Sequence, residues 1–203
     1  MITDAVTLGA GSNATVSGNI TAEVAGNIAN VTDITAAFSG TITDSLANLA
    51  DSGSMTTNFS RARGDDGDVN VVVSDNTGTL AAADIGAVTA GTTGTVTLTN
   101  AQTITGSGAE LVAALKTDAA TLGAASTASV TSAVTAAVAA EIAAITSITL
   151  DSSGSGTITD TLENLLNDGA TAISTNLSNA RAEDTDVKTV SYTHLTLPTT
   201  TPV

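Results

Sequence analysis

The side chains best suited to chemistry in this chain are carboxylates gathered at two turns. Asp65, Asp66 and Asp68 stand together in the run GDDGD, Gly64 to Asp68. Glu183, Asp184 and Asp186 occupy the matching place in a second, related segment. Oxygen donors clustered at a tight turn suit a hard cation such as Ca²⁺, so these six residues are the candidate metal ligands. The competing reading is a solvated acidic loop ahead of a strand, and the second turn lacks both glycines of the first.

The run GDDGDVNV, Gly64 to Val71, resembles a degraded calcium-binding nonapeptide of the repeat-in-toxin kind, in which glycine turns present aspartate oxygens to the ion. Ca²⁺ is therefore the one candidate cofactor, with the solvated acidic loop the favoured reading of the turns. Nucleophilic catalysis lacks partners: serine and threonine abound, but there is no cysteine and the single histidine is His194. A polysaccharide-cleaving site would need aromatic platforms or a basic groove beside its carboxylates, and both are missing. Arg63-Gly64-Asp65 spells a tripeptide used by integrin ligands, but the second segment replaces it with ARAED. The Asn-x-Ser/Thr sequons match the composition and carry no weight.

The elements that must position the carboxylates come from a duplication. Ser39 to Leu49 reads SGTITDSLANL and Ser155 to Leu165 reads SGTITDTLENL. The likeness continues through Ser54 to Val69 and Thr171 to Val187, once two residues are inserted. The duplicated units span about residues 39–75 and 155–189, and such a repeat organises the reading of everything else.

Each unit reads as a helix followed by an acidic turn and a strand. Asp44 is the expected N-cap of the first helix and Gly53 its stop; Asp160 and Glu163 form the expected capping pair of the second, with Gly169 ending it. A further helix is expected over 54–63 and the strongest strand over 69–73. Elsewhere the pattern predicts helices over 20–28, 80–88 and 131–145, and a capping box from Ser107 and Glu110. Strands are expected near residues 6, 31, 95, 148 and 187, at irregular spacings of roughly 25 to 50 residues.

Strands alternating with helices imply parallel pairing through right-handed crossovers. The expected fold class is α/β, a repeat solenoid of short parallel strands alternating with short helices; the alternative is an all-β parallel β-helix. Composition agrees, because the apolar residues make up 42% of the chain but aromatics only 1%. A core without large rings is thin and favours many similar layers.

A formal charge of −15 with five Lys and Arg excludes clustered cations for a nucleic-acid backbone and disfavours anionic membranes. The most apolar window, Ala133 to Ile145, is too short to span a bilayer. No signal peptide is visible after Met1, so export would rely on a segment outside the sequence.

Both prolines, the only Tyr (Tyr192) and the only His (His194) lie in the last fourteen residues. There VSYTHLTLPT resembles the translation of a transposase-type sequencing adapter. Residues 190–203 are read as a tail of foreign origin, and residues 1–189 as a truncated repeat region. The Thr/Ala/Gly/Asp-rich texture of that region, with its GTIT and AAADI phrases, resembles the long repetitive cell-surface, adhesin-like proteins of bacteria. The resemblance implies a non-catalytic structural or adhesive scaffold, extracellular or on the cell surface. Its partners would be neighbouring repeats and cell-surface glycans or proteins. A carbohydrate-active β-solenoid enzyme and a phage fibre segment are the alternatives.

Overall fold

The computed structural model describes residues 11–118, 120–123, 125–145, 148–151, 156–167 and 171–191. The strand expected near residue 6, Gly169, Tyr192 and His194 lie outside the described residues. Within them the chain is mixed α/β, with parallel sheets, alternating short strands and helices, and no closed barrel.

The chain makes successive passes. The first contributes β1 (Ser12–Val16) and α1 (Ala22–Ala29). The second contributes β2 (Ile34–Phe38), β3 (Thr41–Asp44), α2 (Leu46–Leu49), the strands β4 (Ala50–Asp51) and β5 (Ser54–Met55), and α3 (Thr57–Asp65). Next come β6 (Asn70–Val73), β7 (Thr79–Ala81) and α4 (Ala82–Gly91), then β8 (Val96–Leu98), β9 (Thr103–Gly106) and α5 (Gly108–Val112), which runs into a π-helical turn at Ala113–Thr117. The fifth pass holds β10 (Ser126–Val130) and α6 (Ala136–Ala143). The sixth holds β11 (Ile148–Asp151), β12 (Ile158–Asp160), α7 (Leu162–Leu165) and α8 (Thr175–Glu183), and β13 (Thr189–Ser191) follows.

All strand pairs but one are parallel and join a pass to the next. Ser12 lies opposite Ile34, Thr41 opposite Asn70, Val71 opposite Val96, Thr103 opposite Thr127, Ser126 opposite Ile148, and Ile158 opposite Thr189. Isolated bridges extend these ladders from Ile20 to Ile42, from Thr97 to Thr121 and from Val134 to Ile158. Partners are therefore 22 to 31 residues apart. The helices stack alongside: α1 on α3, α4 on α5, α5 on α6 and α6 on α8.

The sequence dictates this layering. TITG and STASV alternate buried and partly exposed positions along β9 and β10, the two-residue period of a strand. The core is a single run of Ala, Val, Ile and Leu, in which Phe59 is the largest fully buried side chain. Small side chains keep neighbouring helices close, and Gly26 in α1 shows how close: a Cβ there would sit 2.6 Å from the Asn58 Cα in α3.

The two longest separations, 29 and 31 residues, belong to the duplicated units. Each inserts a one-turn helix and a small antiparallel contact before its main helix. In the first, Ala50 pairs with Met55 and Asp51 with Ser54 around Ser52 (φ 53°) and Gly53 (φ 73°), a two-residue turn with both central residues left-handed. In the second, Leu166 faces Ile173 across a longer loop, where Asn167 Oδ1 accepts the amides of Thr171 and Ala172. The extra residues of the second copy fall in this loop.

The passes also show that the duplication is longer than SGTITD. Ser12 to Thr35 aligns without gaps on Ser126 to Thr149, with twelve identities in 24 positions, and TDAVTLGAG from Thr3 aligns on TDAATLGAA from Thr117. The structure repeats with the sequence. Thr21 and Thr135 are both N-caps, accepting from Val24 and Val138, and β1–β2 and β10–β11 share one register offset. The repeating unit is thus about 114 to 118 residues, and the chain holds one and part of a second.

Several expectations need correction. The all-β alternative falls to the eight α-helices among the described residues. Pairing distances are shorter and more regular than the 25 to 50 expected. Val31 to Asp33 is a turn with Asp33 at φ 68°, and the strand begins at Ile34. Strands β3, β7, β9, β10 and β12 are not among those expected, TITD forming a strand where each unit reads as a helix; the helix expected from Thr131 starts only at Ala136. Leu46 to Leu49 ends before Gly53, which serves the hairpin instead. The Ser107–Glu110 capping box is present as expected. Val190 and Ser191, the first residues of the tail, pair with Thr159 and Asp160 as an edge strand, one of the two states expected of it. Among the described residues no helix is long and apolar enough to cross a membrane.

Candidate functional site

The duplicated aspartate of TITD ties one pass to the next. Asp44 ends β3 and directs Oδ2 at the Ala22 amide, 2.9 Å away, the first residue of α1 in the preceding pass. Its Oδ1 accepts the Ser45 amide at 2.9 Å and the Asn48 side-chain amide at 2.7 Å. Asp160 does the same, taking Ala136 at 3.1 Å, Thr161 at 2.9 Å and Asn164 at 2.7 Å. Asp75 repeats the device, its Oδ2 accepting the Leu46 amide at 2.6 Å. The first amides of a helix have no partner within it, so each carboxylate supplies an acceptor where the helix dipole favours negative charge.

This explains why the motif reads TITD-x-L-x-N, since Asn48 and Asn164 hold the carboxylate from their own helix. It also corrects the expected caps. Ser45 and Thr161 occupy the N-cap positions, and Thr161, not a pair of Asp160 and Glu163, accepts the Asn164 amide. Burial is the strongest single influence on Asp160 and would raise its pKa, yet the hydrogen bonds from Asn164, Thr161 and Ala136 together hold it below the usual value.

The acidic turn after α3 works in a related way. Asp65 Oδ2 accepts the Ala36 amide at 2.9 Å, and Asp66 Oδ2 the Phe38 amide at 2.6 Å. Both amides belong to β2, whose outer edge would otherwise meet the following pass without a strand to receive it. The two carboxylates stop that sheet. Asp68 bonds through its side chain to Asp66; that hydrogen bond and the neighbouring charge raise the Asp68 pKa. In the second copy Asp186 is raised in the same manner by Asp184, with a smaller contribution from Asp151. Asp184 is buried, and Glu183 is exposed at the end of α8.

The structure thus brings Asp65, Asp66 and Asp68 together at one turn and Glu183, Asp184 and Asp186 at another. Among the described residues no group of three or more His, Cys, Asp or Glu side chains is placed to hold a metal ion. The tripeptide Arg63-Gly64-Asp65 is likewise engaged within the fold, because Arg63 Nε donates to the Gly91 carbonyl at 2.6 Å while Asp65 receives Ala36.

Sequence reasoning missed other ties between passes. Gln102 is buried and spans three groups: its Oε1 accepts the Gly78 amide, and its Nε2 donates to the carbonyls of Asp75 and Asn76. Thr92 Oγ1 donates to the Val69 carbonyl at 2.7 Å, and Asn100 Nδ2 to the Asp75 carbonyl at 2.7 Å. A single polar residue at a corner carries no periodic signal, so only the three-dimensional pairing exposes it.

A groove of about 380 Å³ lies between the π-helical turn and the end of α6, and is lined by Leu115, Leu122, Ala144 and Ile145. Lys116 and Glu141 bridge it at 3.3 Å, with about half of each side chain exposed. Compared with protein-family profiles, characterised proteins and solved structures, the chain matches none.

Proposed function

We propose that the chain is part of an α/β solenoid acting as a non-catalytic structural or adhesive scaffold. The observation that carries this reading is the set of ties between passes: Asp44, Asp75 and Asp160 each cap a helix of the preceding pass, 22, 29 and 24 residues back. Polar side chains that in an enzyme would converge on a substrate are spent here on holding neighbouring layers together. Stacked layers of this kind lengthen without changing cross-section, which suits a spacer or a displayed surface. An extracellular or cell-surface setting fits the acidic, cysteine-free composition, with glycans or proteins of the cell surface as partners.

The same geometry favours capping over calcium at the acidic turns, since Asp65 and Asp66 already accept backbone amides. Adding millimolar Ca²⁺ is expected to leave the melting temperature unchanged; a rise reversed by chelator would assign the turns to the ion instead.

Four steps of the ladder from Ile20, through Ile42, Val71 and Val96, reach Thr121, in the pass where the second unit has begun. With strands about 4.8 Å apart, each unit should add about 19 Å. Small-angle scattering of chains carrying one, two and three copies of residues 3–116 tests this. A maximum dimension growing by that step at constant cross-section supports the scaffold, and a compact particle growing in all directions contradicts it.

A further inference from the structure

We infer that the face formed by β1 and α1 is an interface, and that its occupant is a further copy of the segment Ser74–Lys116 from a neighbouring unit of the same kind. The inference rests on the solenoid reading above and comes from comparing equivalent residues in the two copies. In the second copy, β10 lies between β9 and β11, and α6 packs on α5. Ala128, Val130 and Ile142 are fully buried there, and Val134 is 8% exposed. The equivalent residues of the first copy are Ala14, Val16, Ile28 and, in place of Val134, Ile20, and all four are only partly buried.

The difference has one source. Nothing equivalent to β9 and α5 lies against the first copy among the described residues, where β1 pairs with β2 alone. Gly108 marks the complementary surface. A Cβ at that position would come within 2.5 Å of Val134 Cγ1 and 2.8 Å of Val138 Cγ1, so the start of α5 is shaped to receive two branched side chains. Their equivalents are Ile20 and Val24, and Val24 stands 45% exposed. An apolar set repeated from a covered site retains the shape of that site, and its chemistry specifies the glycine-led pass that covers it.

The test adds a copy of Ser74–Lys116 directly ahead of Thr3, so that the junction reproduces the one between Lys116 and Thr117. Backbone amide exchange over residues 12–28 is then followed in the original and extended chains, each with and without Val24→Asp. The extension is expected to slow exchange at these amides at least tenfold. Val24→Asp should abolish most of that protection in the extended chain while leaving exchange in the original chain unchanged. Equal exchange with and without the extension overturns the inference, as does protection that survives Val24→Asp. Protection of the original chain that grows with protein concentration assigns the face to self-association and overturns it too. Failure of the solenoid reading shows separately, as arrays that do not lengthen.

Discussion

Asp44 and Asp160 are the residues on which the account turns, because each gathers three donors from two passes. Replacing Asp160 by Ala leaves the Ala136 and Thr161 amides without that acceptor, and a lost helix cap of this kind costs about 1 to 2 kcal/mol. Urea denaturation should report the loss; an unchanged midpoint would show that water replaces the carboxylate without cost. The pH dependence has opposite signs at two sites. Asp160 is held below its ordinary pKa of 3.8, so its contribution is present above that value and disappears as pH falls through the lowered one. Asp68 is raised above 3.8, so the folded state binds its proton more tightly than the unfolded state does. Its effect on stability is favourable in acid and is lost as pH rises through the raised pKa. Asp68→Asn should therefore raise the melting temperature at pH 7 and leave it unchanged at pH 3. A rise of the same size at both values would contradict the raised pKa of Asp68.

Among the elements, α1 and α3 are set at a distance that only Gly26 permits. Gly26→Ala gains about 1 kcal/mol of helix propensity, but the Cβ meets backbone rather than a flexible side chain, and such overpacking costs about 1 to 3 kcal/mol. A net loss of about 1 kcal/mol in urea denaturation is expected, and a net gain would mean that the two helices separate freely. The second copy carries Ala140 at the equivalent place, and there α6 and α8 leave a gap of about 210 Å³ lined by Ala140, Ala143, Asn179 and Ala182. Elements with strong local signals were legible in the sequence: the Ser107–Glu110 box, the strand at Asn70–Val73 and the helix around Phe59. Strands such as β9 and β10 were not, because TITG and STASV are short and, apart from Ile104 and Val130, built from Thr, Ser, Ala and Gly. Their burial depends on strands 22 to 24 residues away, not on neighbours in sequence.

At the scale of the whole molecule, the visible repeat and the real one differ for a physical reason. SGTITD and its acidic turn stand out because their side chains make directed bonds, with a specific Asp, Asn and Arg at fixed places. The rest of the unit is held by apolar contacts that tolerate exchange among Val, Ile and Ala, so its copies drift in letters while keeping register. The acidic turns stand out in the sequence, but composition alone does not distinguish a turn that receives backbone amides from a cation site; in the first turn the Asp65 and Asp66 oxygens accept amides of β2.

The most direct test is of the stacking itself. Thr43 lies opposite Val72, and Val72 opposite Thr97, in three consecutive strands. The chain has no cysteine to interfere. Under mild oxidation the double variant Thr43→Cys/Val72→Cys should form an intramolecular disulfide, since adjacent strands lie about 4.8 Å apart and a disulfide needs Cα atoms within about 7 Å. Thr43→Cys/Thr97→Cys, two strands apart, should not. Mass spectrometry showing the first pair closed and the second open is the predicted result; closure of both at equal rates, or of neither, would contradict the stacked parallel passes.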